Sequence, residues 1–105
     1  MLNSHVKFNS KAGKRLLLIV DDEMVNRELL GHITEKDFDA IYASDGAEAL
    51  EKMRENADFL SLVLLDLMMP VMDGFEVMKQ VREDEKLSQI PIIVLTSDVQ
   101  HRGQV

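Results

Sequence analysis

A chain of 105 residues, 46% of them hydrophobic and 30% charged, has the size and balance of one soluble domain built on one core. The absence of cysteine excludes disulfides, thiol nucleophiles and thiolate metal sites. No apolar run approaches the ~20 residues of a membrane span, and no apolar signal segment opens the chain, so a cytoplasmic protein without a membrane partner is expected. The net charge is −7. Residues 1–20 hold Lys7, Lys11, Lys14 and Arg15 and no acid, which leaves 8 bases against 19 acids in the rest, and so acidic a body argues against direct nucleic-acid binding.

Residues 1–14 read as a basic, solvated leader and residues 15–105 as the domain. "LLLIV" (Leu16–Val20) is a continuous apolar run, the pattern of a strand buried on both faces, and it ends in Asp21, Asp22 and Glu23. Residues Val25–Glu35 follow with Val25, Leu29, Leu30 and Ile33 on one helical stripe. "AIYAS" (Ala40–Ser44) is a weaker strand, placed nearer a sheet edge. In "DGAEALEKMRENA", Asp45 or Gly46 opens a helix whose Ala47, Leu50 and Met53 share a face, with Glu48 and Glu51 turned outward.

"LVLL" (Leu62–Leu65) is the next buried strand and ends in Asp66. Asp73–Gly74 then starts a helix over Phe75–Glu83, with either Phe75, Met78 and Val81 or Val77 and Val81 facing inward. "IIVL" (Ile92–Leu95) closes the series and ends in Thr96, Ser97 and Asp98. Strands and helices alternate throughout. That order predicts an α/β fold, a parallel sheet wound by right-handed crossovers with helices on both faces.

In such a sheet the strand C-termini share one edge, and ligands bind in the crevice outside it. Asp21, Asp22, Asp66 and Thr96 therefore come to one region. Carboxylates gathered there repel one another and invite a cation. Without Cys, and with His5, His32 and His101 lacking ligand spacing, the site is all oxygen and suits Mg²⁺ better than Zn²⁺. A carboxylate beside such a metal is also a nucleophile able to form an aspartyl phosphate, with Thr96 placed to bond a phosphoryl oxygen. Asp66, set between apolar residues, is costly to bury unless its charge is paired. Met68, Met69, Met72 and Met78 read as packing rather than a partner groove.

"LIVDDE", "LVLLDLMMPVMDG" and "IIVLTS", in this order and spacing, resemble the receiver domain of bacterial two-component response regulators, from about Arg15 to Ser97. The resemblance implies a flavodoxin-like sheet of order 2-1-3-4-5. It implies that Asp66 accepts a phosphoryl group from a phosphohistidine on a sensor histidine kinase or phosphotransfer protein. Asp22 would ligate Mg²⁺ directly, Asp21 through water, and Met68 through its backbone carbonyl. Thr96 matches the switch hydroxyl. Pro70 and Asp73–Gly74 match the turn after the site, where Gly would relieve a backbone constraint.

A receiver continues past its fourth strand with a helix, a strand preceded by a phosphoryl-binding Lys, and a last helix. Only "DVQHRGQV" follows Ser97, so the chain reads as a receiver truncated at that point. Self-association through an exposed fourth-strand edge is then expected, and the alternative function is an interaction or self-assembly module with impaired phosphorylation. An aspartyl phosphohydrolase is disfavoured, because its second Asp would stand where Met68 is. The chain is read as a phosphoacceptor with at most slow self-dephosphorylation, and not as an enzyme.

Overall fold

The computed structural model describes residues 13–69 and 72–95. The basic leader up to residue 12, Pro70 and Thr96 lie outside the described residues. Among the described residues run β1 (Arg15–Val20), α1 (Met24–Thr34), β2 (Phe38–Ala43), α2 (Gly46–Glu55), β3 (Leu60–Asp66), α3 (Gly74–Arg82), a 3-10 turn (Leu87–Gln89) and β4 (Ile92–Leu95). The four strands form one sheet of order β2-β1-β3-β4, parallel at every pairing. The parallel sheet is the one expected from the alternation, and its order is that of the flavodoxin-like fold implied by the resemblance, with β2 at an edge.

The continuous apolar runs are explained by burial on both sides. Leu18 and Val20 of β1 join Val63 and Leu65 of β3 in a core completed by Ala49, Leu50 and Met53 of α2 and Val77 and Val81 of α3. Leu17, Ile19 and Leu64 point to the opposite face, where Leu30, Phe38, Ala40 and Tyr42 pack against them. Alternate residues of each run thus serve different layers, so positions 17–20 of β1 and 62–65 of β3 are all apolar. The charge has to wait for the strand ends.

Helix starts follow local chemistry. Asp45 caps α2, its Oδ1 accepting the Glu48 N–H at 2.8 Å. Glu48 reaches back to the Ser44 N–H and hydroxyl at 2.8 and 3.0 Å. The Ser44 N–H is the chief reason that the Glu48 carboxyl is held below its usual range. Asp73 caps α3 through the Glu76 N–H at 3.0 Å.

Two helix faces differ from expectation, and packing chooses between the two options for the third. In α1 only Leu30 of the expected stripe packs inward, while Val25 is 72% exposed and Leu29 and Ile33 are also exposed. The helix is turned so that Gly31 seats the Tyr42 ring, where a Cβ would overlap the Tyr42 hydroxyl. In α2 the inward residues are Ala49, Leu50 and Met53, with Ala47 turned to solvent. In α3 the Val77 and Val81 option is the one adopted, and Phe75 is 62% exposed. The turn that buries Leu87, and Ile90 just after it, had no periodic signal at all.

Candidate functional site

Parallel register brings the strand ends level. Val20 stands beside Ala43 on one side and Leu65 on the other, and Asp66 beside Leu95. The residues that step off β1 and close β3 are therefore neighbours. One carboxylate oxygen from each of Asp21, Asp22 and Asp66 lies within 4.8 Å of the others. Asp66 is 4% exposed and Asp21 6%, whereas Asp22 is open to solvent. The sequence-predicted acids are thus brought together, and Asp66 sits at the floor of the cluster.

Short backbone contacts orient these side chains. Asp66 Oδ1 accepts the Met68 N–H at 3.0 Å, and Asp21 Oδ1 accepts the Glu23 N–H at 3.0 Å. Asp21 itself is tied to the sheet by its N–H to the Ala43 carbonyl at 3.1 Å. Neither Asp21 nor Asp22 caps α1: its N-cap is Glu23, which makes no side-chain capping bond. Asp66 has its carboxyl pushed above the usual value, first by burial and then by the negative charges of Asp21, Asp22 and Glu23, with the Met68 N–H opposing.

The donor set fits Mg²⁺. All the candidate ligands are oxygen, the cluster is small and open on the Asp22 side, and the acids raise one another's energy in the absence of a counter-charge. Met68, two residues beyond Asp66, has an exposed side chain and its N–H on the Asp66 carboxylate, so its backbone and not its side chain faces the cluster.

The loop after Asp66 is clamped by two glycines. A Cβ at Gly74 would lie 2.7 Å from the Asp66 carbonyl and 2.7 Å from Leu67 Cα, and one at Gly46 would lie 2.5 Å from the Met72 carbonyl. Gly74 also donates its N–H to the Leu67 carbonyl at 3.1 Å. Gly74 was expected to relieve a backbone constraint, but among the described residues positive φ belongs to Gly13. Gly74 is there for space. Sequence reasoning missed Gly46 as a seat for this loop and missed Arg27, whose Nη1 donates to the Asp21 carbonyl at 2.8 Å. The signal for Arg27 was its position on α1, six residues past Asp21.

An open parallel sheet that delivers three carboxylates to its C-terminal edge defines a flavodoxin-like domain with an acidic pocket. The chain belongs to the response regulator receiver domain family, which it matches over residues 17–104. It is a receiver domain of two-component signalling. It is 43% identical to a transcriptional regulatory protein CpxR homolog of Haemophilus influenzae over 77% of this chain and 34% of that protein. It is 36% identical to chemotaxis protein CheY1 of Helicobacter pylori over 78% of this chain and 67% of that one. Among solved structures, the N-terminal domain of a response regulator receiver protein from Methanoculleus marisnigri JR1 superposes with a TM-score of 0.72 at 32% identity, covering 78% of this chain and 66% of that one. The chain spans about a third of the length of the first of these curated relatives.

Proposed function

We propose that Asp66 is the phosphoacceptor of this receiver, taking a phosphoryl group from a phosphohistidine on a sensor histidine kinase or phosphotransfer protein in the cytoplasm. The observation that carries this reading is the meeting of Asp21, Asp22 and Asp66 within 4.8 Å, with the buried Asp66 at the end of a central strand. In the transfer, an Asp66 carboxylate oxygen forms a bond to phosphorus while the phosphorus–nitrogen bond of the donor breaks and its electron pair returns to the imidazole. Mg²⁺, held directly by Asp22, through water by Asp21, and by Asp66 and the Met68 carbonyl, would supply charge neutralisation for the phosphoryl oxygens.

The chain's own groups do the rest. The Met68 N–H fixes the Asp66 rotamer by holding Oδ1. Burial strips water from the nucleophile and keeps it level with the strand ends. Thr96, the next residue after β4, is assigned the hydroxyl contact to a phosphoryl oxygen. Met68 stands where an aspartyl phosphohydrolase would carry its acid/base Asp, so any loss of the phosphoryl group is slow. Intact mass after incubation with acetyl phosphate and Mg²⁺ tests the reading: one phosphoryl group is expected on the wild-type chain and none on Asp66→Asn. A folded wild-type chain that gains no mass defeats it.

A second reading, assembly through β4, is favoured by one observation. Ile93 is 50% exposed and Val94 is exposed beside it, on a strand whose composition suits burial on both faces. Sedimentation velocity is expected to show a concentration-dependent dimer or larger species that Ile93→Lys disperses. A monomer at every concentration rules this reading out.

A further inference from the structure

Among the described residues, α2 and α3 start on an aspartate cap, and α1 does not. Asp45 and Asp73 hold the first turns of α2 and α3, whereas Glu23 at the start of α1 makes no capping bond. Yet α1 begins directly after the acidic pair, where the loop carries Asp21, Asp22 and Glu23 in succession, all acting as repelling charges on Asp66. Three adjacent acids in an uncapped loop tend to splay apart and away from Asp66. Backbone N–H groups tie Asp21 to Ala43 and Glu23 to Asp21, and a side chain from α1 adds a further tie.

The group in position is Arg27. From the second turn of α1 its half-buried guanidinium donates Nη1 to the Asp21 carbonyl at 2.8 Å. The helix itself starts with the Arg27 N–H on the Glu23 carbonyl at 3.1 Å. One residue therefore grips both ends of the three-acid segment, by its side chain at Asp21 and its backbone at Glu23. A guanidinium holds its donors in a fixed planar geometry, so the bond to the Asp21 carbonyl orients the loop.

We propose that Arg27 is a positioning residue for the acidic pocket, holding the loop between β1 and α1 so that Asp21 and Asp22 face Asp66. Its expected effect on metal binding rests on the Mg²⁺ site proposed above. Its effect on the loop does not. Supporting groups behind metal ligands typically change affinity by about 10–100-fold when removed.

The test compares wild type with Arg27→Ala, Arg27→Lys and, as a control for lost positive charge at an exposed position outside this loop, in the turn after α1, Lys36→Ala. Two quantities are read: the Mg²⁺ dissociation constant by calorimetry, and hydrogen exchange of the Glu23 amide, which bonds to Asp21 Oδ1, in metal-free protein. Arg27→Ala is expected to weaken Mg²⁺ about tenfold and to speed exchange at Glu23. Arg27→Lys should recover part of both, and Lys36→Ala should leave both unchanged. If Arg27→Ala fails to fold, Arg27→Gln, which keeps most of the stem, takes its place. Wild-type exchange at Glu23 in the folded variant overturns the proposal. A wild-type chain that binds no Mg²⁺ overturns the metal site instead, and the exchange comparison still decides the role of Arg27.

Discussion

Asp66 is the residue at which burial and charge pull in opposite directions. Its folded-state carboxyl binds a proton more tightly than an ordinary aspartate, because it is buried and faces Asp21, Asp22 and Glu23. Where the folded state binds protons more tightly than the unfolded state, stability falls as pH rises between the two pKa values. The penalty is absent below the ordinary carboxylate value and stands in full above the raised one. Asp66→Asn keeps an oxygen for the Met68 N–H and removes the charge. The variant is therefore expected to melt above wild type at pH 7 in EDTA, with the gap closing as pH is lowered through the folded pKa. Added Mg²⁺ should also narrow the gap, by stabilising wild type. Thermal melts across pH with and without Mg²⁺ check both, and a less stable Asn variant at pH 7 contradicts them. The identity of this residue was legible in the sequence, since a lone acid closing an apolar run has few bland uses. The partner N–H of Met68 was not, because an Asp side chain can bond several nearby amides and only the loop path selects one.

At the scale of elements, the turn from β3 into α3 depends on contact distance. Gly74 begins α3 with its Cα against the Asp66 carbonyl and Leu67 Cα, both backbone atoms that cannot swing aside. Gly74→Ala is expected to push the start of α3 away from the loop that carries Asp66, Leu67 and Met68. A loss of about 1–3 kcal/mol, in the range of overpacking, should appear in urea denaturation, together with slower labelling of Asp66 by acetyl phosphate. Unchanged stability and labelling would show that the loop yields freely. The sequence marked the Asp73–Gly74 start but suggested backbone freedom as its reason. The helix faces show a related limit. In α1 the periodic stripe Val25, Leu29 and Ile33 is real but turned outward, since Gly31 and Tyr42 set the rotation. In α3 two stripes were equally good on paper, and packing of Val77 and Val81 against the sheet selected one. Periodicity gives the spacing of a face and not the direction in which it points.

For the molecule as a whole, stability rests on a thin sheet with a core on each side. Leu18, wholly buried at the centre of β1, packs with residues of β3, α2 and α3. Leu18→Ala is expected to cost about 2–5 kcal/mol, a large share of the 5–15 kcal/mol typical of a domain. Denaturant unfolding measures it, and a cost under about 1 kcal/mol would mean that this core closes around the gap. The element order, the parallel sheet and the edge at which the acids gather were determined by the sequence alone. Buried strands need continuous apolar runs, polar residues then collect at strand ends, and right-handed crossovers place those ends together. Tertiary structure alone decided which helix faces are inward, which backbone amides hold Asp21 and Asp66, and why Gly46 and Gly74 are glycines. The helix faces and Gly46 depend on approaches of a few ångströms between segments distant in the chain, whereas the amides of Glu23 and Met68 and the space at Gly74 follow from the local path of loops that the packed strands and helices fix.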